Sequence, residues 1–278
     1  MTALHRAECD AWRPDFLWIT LSEEERVRAG RFLRSLDRDR FVVRRGLLRR
    51  LLAERLGCPP QAVPLSTGPH GKPCLGGDPA GARSVTGGGD WPIFNLSRSA
   101  GLVLYALAEG EPGASESGIG AASRPAIGVD LERIDVDRRT LDDLLRIASR
   151  FAPQEARWLR ELPPADASAV LHRLWTCKEA CLKCLGTGIG GPGPELADVV
   201  QVAAADADGI ERWQGGDGLE WIVRSFEPCA GHVAAVARQA GQGGSDLPRA
   251  PTLIEPTAAE RRVSPAGGPP PGPGPGAP

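Results

Sequence analysis

The 278-residue sequence carries 33 Lys and Arg against 35 Asp and Glu, a formal net charge of −2, with 41% hydrophobic and 24% charged residues. That is the composition of a globular chain, long enough for one large domain or two smaller lobes. No apolar run approaches the roughly 20 residues needed to cross a bilayer, and residues 1–6 lack the apolar core of a signal peptide, so a cytoplasmic protein is expected. Seven cysteines, at positions 9, 58, 74, 177, 181, 184 and 229, are odd in number and scattered, which fits reduced thiols better than a disulfide framework.

Along the chain, Ser22 followed by Glu23, Glu24 and Glu25 predicts a helix N-cap with an acidic first turn. Phe32, Leu33 and Leu36 are expected to begin an apolar stripe. A second helix is predicted over 39–56, with Phe41, Leu47, Leu48, Leu51 and Leu52 buried, ending at Gly57 and Pro59-Pro60. Between Arg26 and Arg55 eleven arginines face only Asp37, Asp39 and Glu54, a local excess of eight positive charges. Such an excess wants an anion: nucleic acid, a membrane surface or a small polyphosphate.

A turn-rich stretch at 65–75 leads into a Gly- and Asp-rich loop at 76–90. Residues 91–96 and 101–108 read as neighbouring strands, with Ser97-Arg98-Ser99 turning between them. A Gly/Ser/Ala-rich insertion at 110–125 makes a boundary between two lobes. In the strand that follows, Ile127, Val129 and Leu131 alternate with Gly128, Asp130 and Glu132. A period of two puts both carboxylates on one face, about 7 Å apart along the chain, where a hard divalent cation turns their repulsion into binding.

Helical patterning returns at 141–148, again from Phe151-Ala152-Pro153 onward, and at 167–185. Weaker strand signals lie at 196–202, 219–226 and 232–237. In the last helix Glu179 and Lys183 stand four apart on one face; as an isolated surface pair they would contribute only about 0.3 to 0.5 kcal/mol. Beyond Gln239 the composition turns to Gly, Pro and Ser, and residues 239–278 are expected to be disordered.

Taken in order, Arg40-Phe41-x-x-Arg44-Arg45-Gly46, Gly71-Lys72-Pro73, Asn95-x-Ser97-Arg98-Ser99, Gly128-x-Asp130-x-Glu132 and Trp175-x-x-Lys178-Glu179-Ala180-x-x-Lys183 resemble the 4′-phosphopantetheinyl transferase superfamily. The last two motifs, about 45 residues apart, are the most specific part of the likeness, which spans roughly residues 22–238. Length places the likeness with the larger, Sfp-like type. It implies an α+β fold of two similar lobes related by a pseudo-two-fold, here 1–122 and 123–238, in a monomer, with 239–278 as a tail. It also implies transfer of the phosphopantetheine arm of coenzyme A to a serine of an apo acyl or peptidyl carrier protein, releasing 3′,5′-ADP.

Under that resemblance Asp130, Glu132 and Glu179 would ligate Mg²⁺, Glu179 would help deprotonate the serine, and Lys183, assisted by Lys178, would contact the pyrophosphate. Coenzyme A would be held by Arg40, Arg45, Gly71, Lys72, Pro73, Asn95, Ser97, Arg98 and Lys183, with Arg28 and Arg31 as weaker candidates. Arg98 departs from the family, which usually has histidine there; arginine keeps the donor function with permanent charge and longer reach. A binding homologue with weakened turnover is therefore an alternative, as is a nucleic-acid module built on the arginines, although the single Tyr and six Phe are few for one. Cys177-x-x-x-Cys181-x-x-Cys184 has iron-sulfur spacing, but in a helical register small buried thiols account for it. His172 reads as a helix-surface or partly buried residue and not as a catalyst, and Trp175 as a packing anchor that fixes where Glu179 points.

Overall fold

Two sheets lie face to face, each backed on its outer side by a 22-residue helix. The computed structural model describes residues 2–68, 71–76, 92–109, 127–134, 146–186, 194–216, 218–241 and 247–262. The first sheet has the order β11-β1-β5-β4, from β1 (Thr2–Glu8), β4 (Ile93–Ser99), β5 (Leu102–Ala108) and β11 (Thr252–Leu253); only the β11–β1 pairing is parallel. The second is wholly antiparallel, β6-β10-β9-β8-β7, from β6 (Ile127–Arg133), β7 (Val200–Ala203), β8 (Glu211–Gln214), β9 (Glu220–Phe226) and β10 (His232–Gln239). A separate hairpin joins β2 (Leu65–Thr67) to β3 (Pro73–Leu75).

The layers follow from strand periodicity. Every residue of β5 is buried, as a strand covered on both faces requires. Val103, Tyr105 and Leu107 pack with Phe41, Leu48 and Leu52 of the first long helix, α3 (Ser35–Leu56). Leu102, Leu104 and Ala106 point the other way, onto Ile127, Val129 and Val236 of the second sheet. On the far side, Ala235 and Ala237 of β10 meet Cys177, Ala180 and Cys181 of the second long helix, α5 (Pro164–Leu185). Both long helices stop at a left-handed glycine, Gly57 (φ 63°) and Gly186 (φ 80°), a conformation in which glycine has no Cβ penalty.

Shorter helices are α1 (Pro14–Trp18), α2 (Glu23–Gly30) and α4 (Pro153–Glu161). The predicted cap of α2 is a full capping box: the Ser22 amide donates to Glu25 Oε2 at 3.0 Å and the Glu25 amide to Ser22 Oγ at 3.3 Å. No helix of the described residues is long and apolar enough to cross a membrane.

Several sequence expectations need correction. Ser97, Arg98 and Ser99 belong to β4, and the chain turns one step later, at Ala100 (φ 53°) and Gly101. Pairing with β5 overrides the turn preference of Ser-Arg-Ser. Phe32, Leu33 and Leu36 do not open a buried stripe; they lie around the α2–α3 connection and are exposed, Leu33 completely. Leu51 is only partly buried. Residues 247–262, expected to be disordered, form β11 and dock on the first sheet and α3: Leu247 is buried between the sheets, Arg262 N–H donates to the Ala11 carbonyl, and Arg50 pairs with Glu260 at 2.6 Å. The rest of that expected tail (263–278), the lobe boundary near 122 and most of the helix expected at 141–148 lie outside the described residues.

Candidate active site

The site begins with a backbone contact. A Cβ added at Gly128 would stand 1.9 Å from the Ala180 carbonyl oxygen and 2.5 Å from the Cys184 nitrogen. Strand β6 and helix α5 therefore touch main chain to main chain, which only glycine allows. Two residues further along β6 is Asp130; beside Ala180 on the helix is Glu179, and a turn later Lys183. This close approach brings the two motifs, distant in sequence, into one cluster.

Asp130 is 3% exposed. Its Oδ1 accepts hydrogen bonds from Ser97 Oγ at 2.9 Å and Lys183 Nζ at 2.5 Å, while its Oδ2 is buried with no partner. Lys183 Nζ also donates to Ser97 Oγ at 3.1 Å. Glu179 is 6% exposed, and its Oε1 is likewise buried without a partner. Burial, followed by the negative charge of Asp130, pushes the Glu179 carboxyl up to about 7; Glu132 adds to the rise and Lys183 opposes it. Glu132 Oε2 accepts from Ser99 Oγ at 3.4 Å.

Among the described residues no three His, Cys, Asp or Glu side chains form a ready-made metal cage. A hard divalent cation nevertheless suits the two orphaned oxygens, Asp130 Oδ2 and Glu179 Oε1, because buried carboxylate oxygens without donors are costly until a cation or a proton arrives.

The Asn95-x-Ser97-x-Ser99 alternation gives β4 one polar face turned toward β6. Asn95 Oδ1 accepts the Val129 amide at 3.3 Å, Ser97 holds Asp130, and Ser99 Oγ accepts the Arg133 amide at 3.0 Å while donating to Glu132. Asn95 and Ser97, expected at coenzyme A, thus stitch the two sheets together and set the carboxylates. Arg98, between the two serines, is exposed, and its charge acts on Arg44 of α3.

Arg44 is the residue the sequence reading passed over. Burial first, then repulsion from Arg98, lowers its guanidinium to about 10, and no carboxylate among the described residues pairs with it. Two cations held together in this way leave room for an anion. Arg45, named instead, pairs with Glu25 at 3.0 Å, and the same carboxylate holds Arg49 at 2.5 Å; this network ties α2 to α3. Arg40 is held at 2.8 and 2.5 Å by both oxygens of Asp10, Arg28 lies 5.3 Å above the Phe41 ring, and Arg31 is exposed. Gly71 (φ 80°) forms the bend before Lys72, whose Nζ donates to the Lys183 carbonyl at 3.1 Å, and Pro73 opens β3.

Lys178 is a correction. Its side chain is 0% exposed, pairs with Glu155 at 2.8 Å, and donates to the carbonyls of Leu196 and Val199 beneath the Phe151 and Trp213 rings. A residue adjacent to Glu179 on a helix points about 100° away, here into the core. Cys177, Cys181 and Cys184 sit in that same core, where burial pushes their thiols up, Cys184 to about 11, away from the thiolate an iron-sulfur cluster needs. His172, expected at the helix surface or partly buried, is instead fully buried with Nδ1 2.7 Å from the Ser168 carbonyl, and Trp175 packs 6.3 Å from Phe151 as expected of an anchor.

Comparison with known proteins bears on the same segment. Residues 126–237 match the family model of the 4′-phosphopantetheinyl transferase superfamily. The chain is 37% identical over 174 residues to the 4′-phosphopantetheinyl transferase HetI of Nostoc sp., covering 62% of each protein. It is 36% identical over 172 residues to a putative 4′-phosphopantetheinyl transferase of Synechocystis sp., covering 62% of this chain and 59% of that one. A 4′-phosphopantetheinyl transferase of Bacillus pumilus is 26% identical over 170 residues, 61% of this chain and 59% of its own. The aligned part thus spans about three fifths of these relatives' length. The segment that carries the glycine-seated carboxylates and lysine is thus the part of this chain that is similar to the 4′-phosphopantetheinyl transferase superfamily.

Proposed function

We propose that the protein transfers the 4′-phosphopantetheine arm of coenzyme A to a serine of an apo acyl or peptidyl carrier protein. The observation that carries this reading is the pair of unpartnered, buried carboxylate oxygens on Asp130 and Glu179, set on neighbouring β6 and α5 beside the Lys183 ammonium. Asp130 and Glu179, with Glu132, would hold Mg²⁺, which when bound supplies positive charge to a pyrophosphate. Lys183 lies next to Asp130 with its side chain partly open to solvent, so it can turn to a phosphate oxygen while Ser97 keeps Asp130 oriented.

In the reaction the carrier serine Oγ forms a bond to the β-phosphorus of coenzyme A as the bond from that phosphorus to the bridging oxygen breaks. The electron pair leaves with 3′,5′-ADP. Glu179 accepts the serine proton, directly or through a water. Arg44 and Arg98, with Arg40 nearby, would hold the nucleotide's phosphates, which accounts for the arginine-rich helix without nucleic acid. A monomer of two lobes related by a pseudo-two-fold agrees with the one long helix backing each sheet.

The test is to incubate the protein with apo carrier protein, coenzyme A and Mg²⁺ and to weigh the carrier by mass spectrometry. Gain of one phosphopantetheine group is expected. An unmodified carrier across acyl and peptidyl types would refute the reading.

A further inference from the structure

We propose that Arg262, in the segment 247–262 that follows the second sheet, is a positioning residue for coenzyme A binding: it fixes Arg40 of α3 from two sides at once. The inference rests on the transferase reading above, which gives Arg40 a nucleotide phosphate to hold. The Arg262 amide donates to the Ala11 carbonyl at 2.8 Å, and its guanidinium pairs with Asp39 Oδ2 at 2.7 Å. Ala11 follows Asp10, whose two oxygens hold Arg40 at 2.8 and 2.5 Å, and Asp39 precedes Arg40 on the helix. One residue thus grips the chain neighbour of Arg40 and the chain neighbour of the carboxylate that orients it. Arg262 lies outside the matched segment 126–237, so the family likeness assigns it nothing.

The segment reaches this point along a continuous seam. Leu247 is buried between the sheets; β11 then runs parallel to β1, with His5 opposite Thr252 and Arg6 opposite Leu253, and the Ile254 amide donates to the Arg6 carbonyl at 2.8 Å. Farther on, the Arg13 amide donates to the Glu260 carbonyl at 2.7 Å, and Trp12 and Arg261 form an isolated β-bridge. The Glu260 carboxylate takes Arg50 of α3 at 2.6 Å and Thr257 Oγ1 at 2.9 Å. These main-chain bonds seat residues 11–13 against the segment, so Asp10 is delivered to Arg40 at a set height along α3. The Cys9 amide donates to the Gly101 carbonyl at 2.8 Å, and a Cβ on Gly101 would stand 3.0 Å from Arg40 Nη2. The held guanidinium therefore lies against the turn that follows Arg98, with Arg44 one helical turn away on the same face of α3. Asp10 takes two of the five guanidinium N–H donors, which leaves donors for a phosphate.

The test compares the full chain with Arg262→Ala, Asp39→Asn, the double variant, and Arg262→Lys, which restores a cation. Coenzyme A binding is measured by isothermal titration, and transfer to apo carrier protein is followed at varied coenzyme A. In Arg262→Ala the Kd and KM for coenzyme A are expected to rise about three- to fivefold, the scale of one partly exposed ion pair, with kcat within about twofold. Asp39→Asn should do the same, and the double variant should be no weaker than either single one, since both break the same contact. Arg262→Lys should recover most of the affinity. Arg50→Met, which frees the same segment from α3 at a point ten residues beyond Arg40, is the control for general loosening and should leave Kd unchanged. An equal rise in Arg50→Met would make the segment a structural brace only and overturn the proposal. Additive losses in the double variant would mean that Arg262 meets the phosphate itself, and they would overturn it too, as would unchanged affinity in Arg262→Ala. Should the wild type bind coenzyme A but transfer nothing, the functional reading fails separately and the titration decides the role of Arg262; a wild type that binds no coenzyme A sinks both.

Discussion

Replacing Gly128 by alanine tests the contact on which the whole site is built. The new methyl would start 1.9 Å from the Ala180 carbonyl oxygen and 2.5 Å from the Cys184 nitrogen, both main-chain atoms that no rotamer change can move. To reach ordinary contact, helix and strand must part by roughly 1.5 Å, in a core where overpacking costs about 3 kcal/mol or more. For a chain of this size that corresponds to a fall in Tm of about 6–12 °C. The displaced segment is the one between Glu179 and Lys183, so a shift of about 1 Å should also lower kcat about 100-fold. Thermal unfolding by circular dichroism and the carrier-modification assay measure the two effects. Gly30→Ala is the control, since a Cβ there meets nothing within 4 Å. If Gly128→Ala keeps its Tm within 2 °C and its kcat within about twofold of the wild type, the close approach is not what positions the carboxylates.

Asp130→Ala, Glu132→Ala and Glu179→Ala should each lower transfer by orders of magnitude while circular dichroism shows a folded chain, and a chelator should do the same to the wild type; wild-type rates in all three variants would contradict the assigned roles. Glu179 titrates near 4.5 as a free group and near 7 in the fold, so between these values the native state binds more protons than the unfolded chain, and metal-free stability falls as pH rises through that window. Glu179→Gln should remove this loss, making the variant more stable than the wild type at pH 8 by up to about 3 kcal/mol and equal to it below about pH 4.5, as denaturant titrations with chelator would show. Lys178→Met leaves Glu155 without its buried partner and should cost about 3–5 kcal/mol in unfolding free energy, with kcat per folded molecule unchanged. Arg44→Ala should raise the KM for coenzyme A with little change in unfolding midpoint, whereas Arg45→Ala should lower that midpoint by breaking the link to Glu25, with less effect on KM.

Much of the architecture was legible where the pattern was long or sharply periodic. The helix through Leu185, the β6 alternation and the N-cap at Ser22 all appear where their residues predict them. β1, with its His-Arg-Ala-Glu run, and the two-residue β11 carry too little pattern to be seen; each exists because it pairs with a neighbour. The burial of Lys178 had a signal that went unused. It falls on the stripe of Leu171, Leu174, Cys181 and Leu185, at the three- and four-residue spacing of an inward helix face.

By itself the sequence determined the chemistry on offer: carboxylates sharing a strand face, a Glu–Lys pair on a helix, and an arginine excess that needs an anion. Local periodicity sets which side chains share a face, and that information is carried by neighbours along the chain. Only the tertiary structure decided which cations are already engaged. Arg45 is taken by Glu25, Arg40 by Asp10 and Lys178 by Glu155, while Arg44 stands against Arg98. Those pairings join residues 20 to 54 positions apart, and they depend on how helices and sheets pack, which no local spacing encodes.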